Sequence, residues 1–145
     1  MKQAALVPTF VDDIPERLAD GRLYVSQRHA LAIHLCCCGC RSEVVTPLSP
    51  AEWRLTVQDG RATLYPSIGN WGFPCRSHYW VRSNRIEWAL PMSDLQISKV
   101  RERDRNDLQR QVARANAQRD ANRPWVARQL AALWNWVVGG FRDRG

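Results

Sequence analysis

The densest chemistry in the chain lies in His34-Leu35-Cys36-Cys37-Cys38-Gly39-Cys40, where His34, Cys36, Cys38 and Cys40 recur at every second residue. In an extended strand, side chains two apart share a face, so this spacing predicts four ligand-type side chains along one side of a strand. Gly39 allows a bend where a Cβ would crowd the turn, so that successive thiolates can point inward on one ion. A fifth cysteine, Cys75, stands far along the chain beside Ser77 and His78. Zinc takes four soft or borderline ligands in a tetrahedron, and Cys36, Cys38, Cys40 and Cys75 supply a closed set. Cys38, Cys40, Cys75 and His78 form a substitute set. Near-adjacent cysteines cannot bridge one another and an odd number leaves one over, so a disulfide framework is not expected. Buried free thiols are the plainer alternative. Clustered thiolates repel one another without a cation, however, and a structural zinc would stabilise a domain whose core is small.

A second group of residues could transfer an acyl group. Pro66-Ser67-Ile68-Gly69-Asn70-Trp71 reads as a polar turn, and Ser77-His78 follows shortly after it. Acyl transfer needs a nucleophile, a base within hydrogen-bond reach and donors for the developing oxyanion. Ser67 or Ser77 fits the first role and His78 or His34 the second. Asn70, or backbone amides near Gly69, fits the third. The ordinary alternative is that turn serines serve local hydrogen bonds and that a histidine beside a zinc cluster is a ligand or supports one.

These residues need a scaffold of strands. Leu23-Tyr24-Val25 reads as one; Trp53, Leu55 and Val57 alternate with polar residues, and Ala62 and Leu64 resume the alternation after Asp59-Gly60. That is a hairpin with an Asp-Gly turn. Tyr79-Trp80-Val81 and Ile86 with Trp88 form a second hairpin across Ser83-Asn84. The expected fold is therefore mainly β, a small zinc-stabilised antiparallel sheet over residues 1–92. From Ser93-Asp94, which offers an N-cap, to Asn122 there is neither Gly nor Pro, and a helix is expected. Its narrow apolar stripe comprises Leu95, Val100, Leu108, Val112 and Ala115. Pro124 breaks it and restarts a second, Trp-rich helix, so residues 93–145 form a basic helical tail and the whole chain is α+β.

The 145 residues leave no room for a dinucleotide-binding domain paired with a second domain, and 45% hydrophobic residues exclude a disordered chain. Residues 1–92 carry ten Lys or Arg against eight Asp or Glu, and residues 93–145 carry eleven against six. The net charge of +7 thus sits mainly in the tail, which could attract nucleic acid, an anionic membrane or an acidic protein. The longest charge-free apolar stretch, residues 129–141, is short of the roughly 20 residues of a spanning helix. No secretory signal is evident in the first ten residues, and a cytoplasmic location is expected.

Four ordered motifs resemble a small bacterial domain family long labelled as of unknown function. They are His34-Leu-Cys-Cys-Cys-Gly-Cys40, Val44-Val-Thr-Pro-Leu-Ser-Pro50 with Trp53, Leu64-Tyr-Pro-Ser-Ile-Gly-Asn-Trp71, and Cys75-Arg-Ser-His-Tyr-Trp-Val81 with Trp88. The match covers residues 23–89. Members stand beside ubiquitin-like proteins and relatives of ubiquitin-activating and ubiquitin-conjugating enzymes, in bacterial ubiquitination-like (Bub) operons. The resemblance implies a zinc-containing serine peptidase or isopeptidase that trims the ubiquitin-like protein or frees it from conjugates. It favours Cys36, Cys38, Cys40 and Cys75 as the metal set and places Ser67, Ser77 and His78 inside its motifs. The sequence departs from the family at Arg41, where a second Gly is usual, and the tail inherits nothing. Alternation from Cys75 puts Ser77 on the metal side of a strand and His78 on the other, which favours Ser67 as nucleophile with His78 as base. The rival expectation is a non-catalytic zinc module that grips a protein, or nucleic acid through the tail.

Overall fold

A computed structural model describes residues 1–122, and the predicted second helix lies outside them. Eight strands come first in the chain: β1 (Val7–Phe10), β2 (Arg22–Ser26), β3 (Leu31–Leu35), β4 (Glu43–Pro47), β5 (Arg54–Gln58), β6 (Arg61–Gly69), β7 (His78–Arg82) and β8 (Arg85–Trp88). Helix α1 (Asp94–Ala121) follows. The strands make two four-stranded sheets in sequence order, β1 to β4 and β5 to β8. Every neighbouring pair is antiparallel except β1 and β2, which run parallel. The mainly β reading with a helical extension therefore holds. The division into two sheets and the parallel pair were not foreseen, because alternation reveals strands and not their partners.

Turn chemistry fixes both hairpins. Asp59 and Gly60 have φ of 50° and 71°, and Ser83 and Asn84 have 48° and 70°. Two successive residues at positive φ make the turn whose twist matches that of the flanking strands. Asn84 also ties the hairpins together, since its Oδ1 accepts from the Ala62 N–H at 2.6 Å.

The sheets share one core. Leu23, Val25, Ala32 and Val44 from the first sheet meet Ala62, Leu64, Ile68, Tyr79 and Val81 from the second, together with Leu6, Cys36 and Cys37. Alternation decides what remains outside. On β7, Tyr79 and Val81 are buried while His78 and Trp80 are only partly so. On β6, Ile68 is buried and Ser67 half-buried. The outer face of the second sheet therefore carries both Ser67 and His78.

Helix α1 opens with a capping box. The Ser93 Oγ accepts from the Gln96 N–H at 3.3 Å, and the Gln96 Oε1 accepts from the Ser93 N–H at 2.8 Å. Asp94 pairs with Arg76. The anchoring residue differs from expectation, because Ile97 is buried whereas Leu95, Leu108 and Val112 are exposed. The stripe read from the sequence omits Ile97, although by helical spacing it shares a face with Val100, Leu108 and Ala115, whereas Leu95 does not. The chain divides into a compact unit Met1–Leu108 and a second unit from Gln109 onward, so the first holds the β-sheets and the first half of α1.

Candidate functional site

The cysteine run is a turn, which corrects the strand expectation. β3 stops at Leu35, and residues 37–40 curl back on themselves. A strand sets alternate side chains about 6.6 Å apart, too far for several thiolates to share an ion, whereas a turn wraps them round a point. Gly39 has φ of +91°, and a Cβ there would lie 2.7 Å from the Met1 carbonyl oxygen, so only glycine fits. Arg41 also sits in the left-handed region, at φ of 62°. The backbone thus keeps the bend that a second glycine would adopt more easily. Ser42 closes the turn by accepting from the Cys36 N–H at 2.8 Å.

Cys36, Cys38, Cys40 and Cys75 converge, with all four sulfurs within 4.8 Å of one another. The Sγ separations are 3.4 Å from Cys36 to Cys38, 3.9 Å from Cys36 to Cys75 and 3.7 Å from Cys40 to Cys75. Bonds of about 2.3 Å to a tetrahedral zinc would set sulfurs about 3.8 Å apart, so the geometry fits a metal ion held by four thiolates. Neither His34 nor His78 belongs to the cluster, which removes the substitute set. Polar groups also surround the sulfurs. Ser77 Oγ lies 3.1 Å from Cys36 Sγ, Asn70 Nδ2 donates to it at 3.6 Å, and the Cys40 N–H donates to Cys38 Sγ at 3.4 Å. Without a cation, burial pushes the Cys38 thiol up to about 12, while hydrogen bonds from Ser42 bring Cys40 down to about 6.

A buried polar chain runs inward from the cluster. Asn70 Nδ2 donates to Ser77 Oγ at 2.9 Å and lies 3.5 Å from the Tyr79 hydroxyl, which meets His34 Nε2 at 2.8 Å. Complete burial pushes the His34 pKa down to about 3, so the ring is neutral. His34 therefore sits in the core against Tyr79 and forms no pair with a serine. The amide of Asn70 is directed to the same inner network, not to Ser67. Tyr79 was missed by sequence reasoning; a tyrosine at an inward strand position was the available signal, since a buried hydroxyl needs a partner.

Ser67 and His78 meet on the other face. His78 Nε2 lies 2.9 Å from Ser67 Oγ. The expected turn around Ser67 is instead the end of β6, distorted by a bulge: Leu64 pairs with Val81 and Ile68 with Tyr79, which leaves two extra residues on β6 between them. Such bulges re-aim side chains. The imidazole stands between two indoles, with ring centroids 4.7 Å from Trp71 and 5.4 Å from Trp80. Burial lowers the His78 pKa, and the Leu90 backbone works more weakly in the opposite sense. Nδ1 is buried and, among the described residues, meets no partner in full hydrogen-bond geometry. A neutral ring accepting from Ser67 carries its proton on Nδ1.

The fold and site define a two-sheet β protein with four thiols that could hold a metal ion on one side of β7 and a serine–histidine pair on the other. The chain belongs to the family of bacterial ubiquitination-like system serine proteases (BubE), which it matches over residues 10–89. No curated protein and no solved structure matches it. The match gives no support to the expected nucleic-acid contact. Among the described residues, no helix is long and apolar enough to cross a membrane.

Proposed function

We propose that the chain is a serine peptidase or isopeptidase that trims a ubiquitin-like protein or releases it from conjugates, with Ser67 as nucleophile and His78 as base. The observation that carries this reading is the 2.9 Å contact between Ser67 Oγ and His78 Nε2 within a half-buried cleft. His78 accepts the hydroxyl proton as Ser67 Oγ attacks the scissile carbonyl carbon, then delivers it to the leaving amine. The resulting acyl-enzyme is hydrolysed by a water that His78 deprotonates. The depressed pKa keeps His78 in the accepting form at neutral pH, and the two indoles hold its ring in register.

Ser77 serves the metal pocket in this reading, because its hydroxyl is held by Cys36 and Asn70. The Asn70 side chain is bound to Ser77 and Tyr79 and so does not serve as an oxyanion donor. Zinc would be held by Cys36, Cys38, Cys40 and Cys75, where four thiolates leave no position for a reacting water and the ion supplies stability. Cys75 lies in the connection from β6 to β7, so the ion fastens the segment that spaces Ser67 from His78.

The test is cleavage of a peptide extension placed beyond the C-terminal glycine of a ubiquitin-like partner. Ser67→Ala should lose turnover and keep its metal; unchanged turnover would leave Ser67 a strand residue only.

A further inference from the structure

β6 is nine residues long, yet β5 pairs only as far as Arg54 with Tyr65. Beyond that point β6 has β7 on one side and, among the described residues, no strand on the other. The pairing ends because the chain before β5 turns away, with the Glu52 N–H donating to the Ser49 carbonyl at 3.1 Å; Pro66, whose nitrogen by alternation faces β7, leaves that side without a donor at the bulge.

The peptide groups on this bare edge can be assigned. The Asn70 N–H donates to the Ser77 carbonyl and the Ala89 N–H to the His78 carbonyl, both at 2.9 Å. Ser77 and Tyr79 therefore turn their peptide groups toward β6, and His78 turns toward β8. Ile68, opposite Tyr79, and Asn70 bond toward β7. By strand alternation, the N–H and C=O groups of Ser67 and Gly69 point to the side that β5 has left. A cavity of about 370 Å³ lies along this edge, walled by Trp53, Ser67, Trp71 and His78 on the sheet side and by Val100 and Arg101 of α1 on the other. It adjoins a larger groove, which shares Trp53 and Pro66 and continues past the exposed Phe10 and Tyr65. Trp71 narrows the cleft, since its ring stands 2.4 Å from where a Cβ on Gly69 would be.

We propose that residues 67–69 of β6 take the substrate as an added extended strand bonded to the peptide groups of Ser67 and Gly69. This rests on the assignment of Ser67 and His78 above and names how their substrate is held. The occupant is a polypeptide segment in extended form, whose main chain supplies the affinity. Pairing sets the scissile carbonyl in front of Ser67 Oγ, with Trp53, Pro66 and Trp71 flanking the neighbouring side chains. The adjoining groove takes apolar residues further along the same segment.

The full chain carrying Ser67→Ala keeps the β6 backbone and suits a binding test. Octapeptides with Gly, Ala, Leu, Phe or Arg at each position would be screened by fluorescence polarisation, and the best binder remade with one amide N-methylated at a time. An added strand predicts a period of two, with alternate methylations weakening binding at least about fivefold and the others tolerated. A library without a binder, or methylation that acts alike at every position, overturns the proposal. Turnover of the same peptide by the unaltered chain is read separately. Periodic binding without cleavage keeps the added strand and removes the serine mechanism, whereas cleavage without periodicity does the reverse.

Discussion

Ser77 and His78 are neighbours in the chain and face opposite sides of the second sheet. Ser77 Oγ lies 3.1 Å from Cys36 Sγ, while His78 Nε2 lies 2.9 Å from Ser67 Oγ. One peptide unit thus joins the thiol pocket to the outer cleft. Loss of the ion would be felt at His78 through the backbone, without any side chain reaching across.

The metal is tested by composition. Elemental analysis of the purified chain should find zinc at one equivalent, and Cys38→Ser or Cys75→Ser should lose it together with most of the folded signal. Full-length protein that folds metal-free with every thiol titratable would falsify the assignment.

The two serines should part company. Ser67→Ala is expected to lower kcat by about 10³-fold or more, at unchanged metal content and melting temperature. Ser77→Ala should leave the serine mechanism in place but remove the partner of Asn70 and Cys36, costing about 1–3 kcal/mol of stability. Steady-state kinetics beside thermal denaturation read both, and the opposite pattern would make Ser77 the nucleophile.

The pH profile follows from His78. As a base it works when neutral, and burial lowers its pKa from the ordinary 6.5. kcat/KM should therefore rise with pH through a midpoint below 6.5 and be level through neutrality. A midpoint at or above 6.5 would mean that the ring is not buried in the working enzyme.

His34 sets an acid limit on stability. Its pKa in the fold is about 3 against 6.5 in the unfolded chain, so the unfolded state binds the extra proton between those values. Stability should fall as pH drops below 6.5, by up to about 1.4 kcal/mol per unit. His34→Gln should flatten urea-denaturation midpoints across pH 4 to 6, and an unchanged slope would assign the acid sensitivity elsewhere.

Truncation tests where the folded unit ends. A chain ending at Leu108 keeps Ile97 and the Asp94 partner of Arg76, and it should retain the β signal and the metal. One ending at Met92 loses both contacts and should melt at lower temperature, which equal melting temperatures would refute.

The sequence by itself determined the local elements. Both hairpins were legible because Asp-Gly and Ser-Asn turns accept positive φ and alternation marks the strands beside them. The four cysteines were legible as a candidate set, though His78 stayed open in place of Cys36 until the fold brought the sulfurs together, and the opposite facing of Ser77 and His78 follows from the period of a strand. What the tertiary structure alone decided depends on residues far apart in the chain. The turn at residues 37–40 is set by a close approach to Met1, and His34 is drawn into the core by Tyr79. Asn70 is turned inward by Ser77 and Tyr79, and Ser67 is aimed at His78 by a bulge that only the pairing of β6 with β7 creates. Spacing along a chain fixes which side of a strand a residue takes; the partner it meets there depends on sheet pairing and packing, whose contacts join distant segments and leave no periodic trace in the sequence.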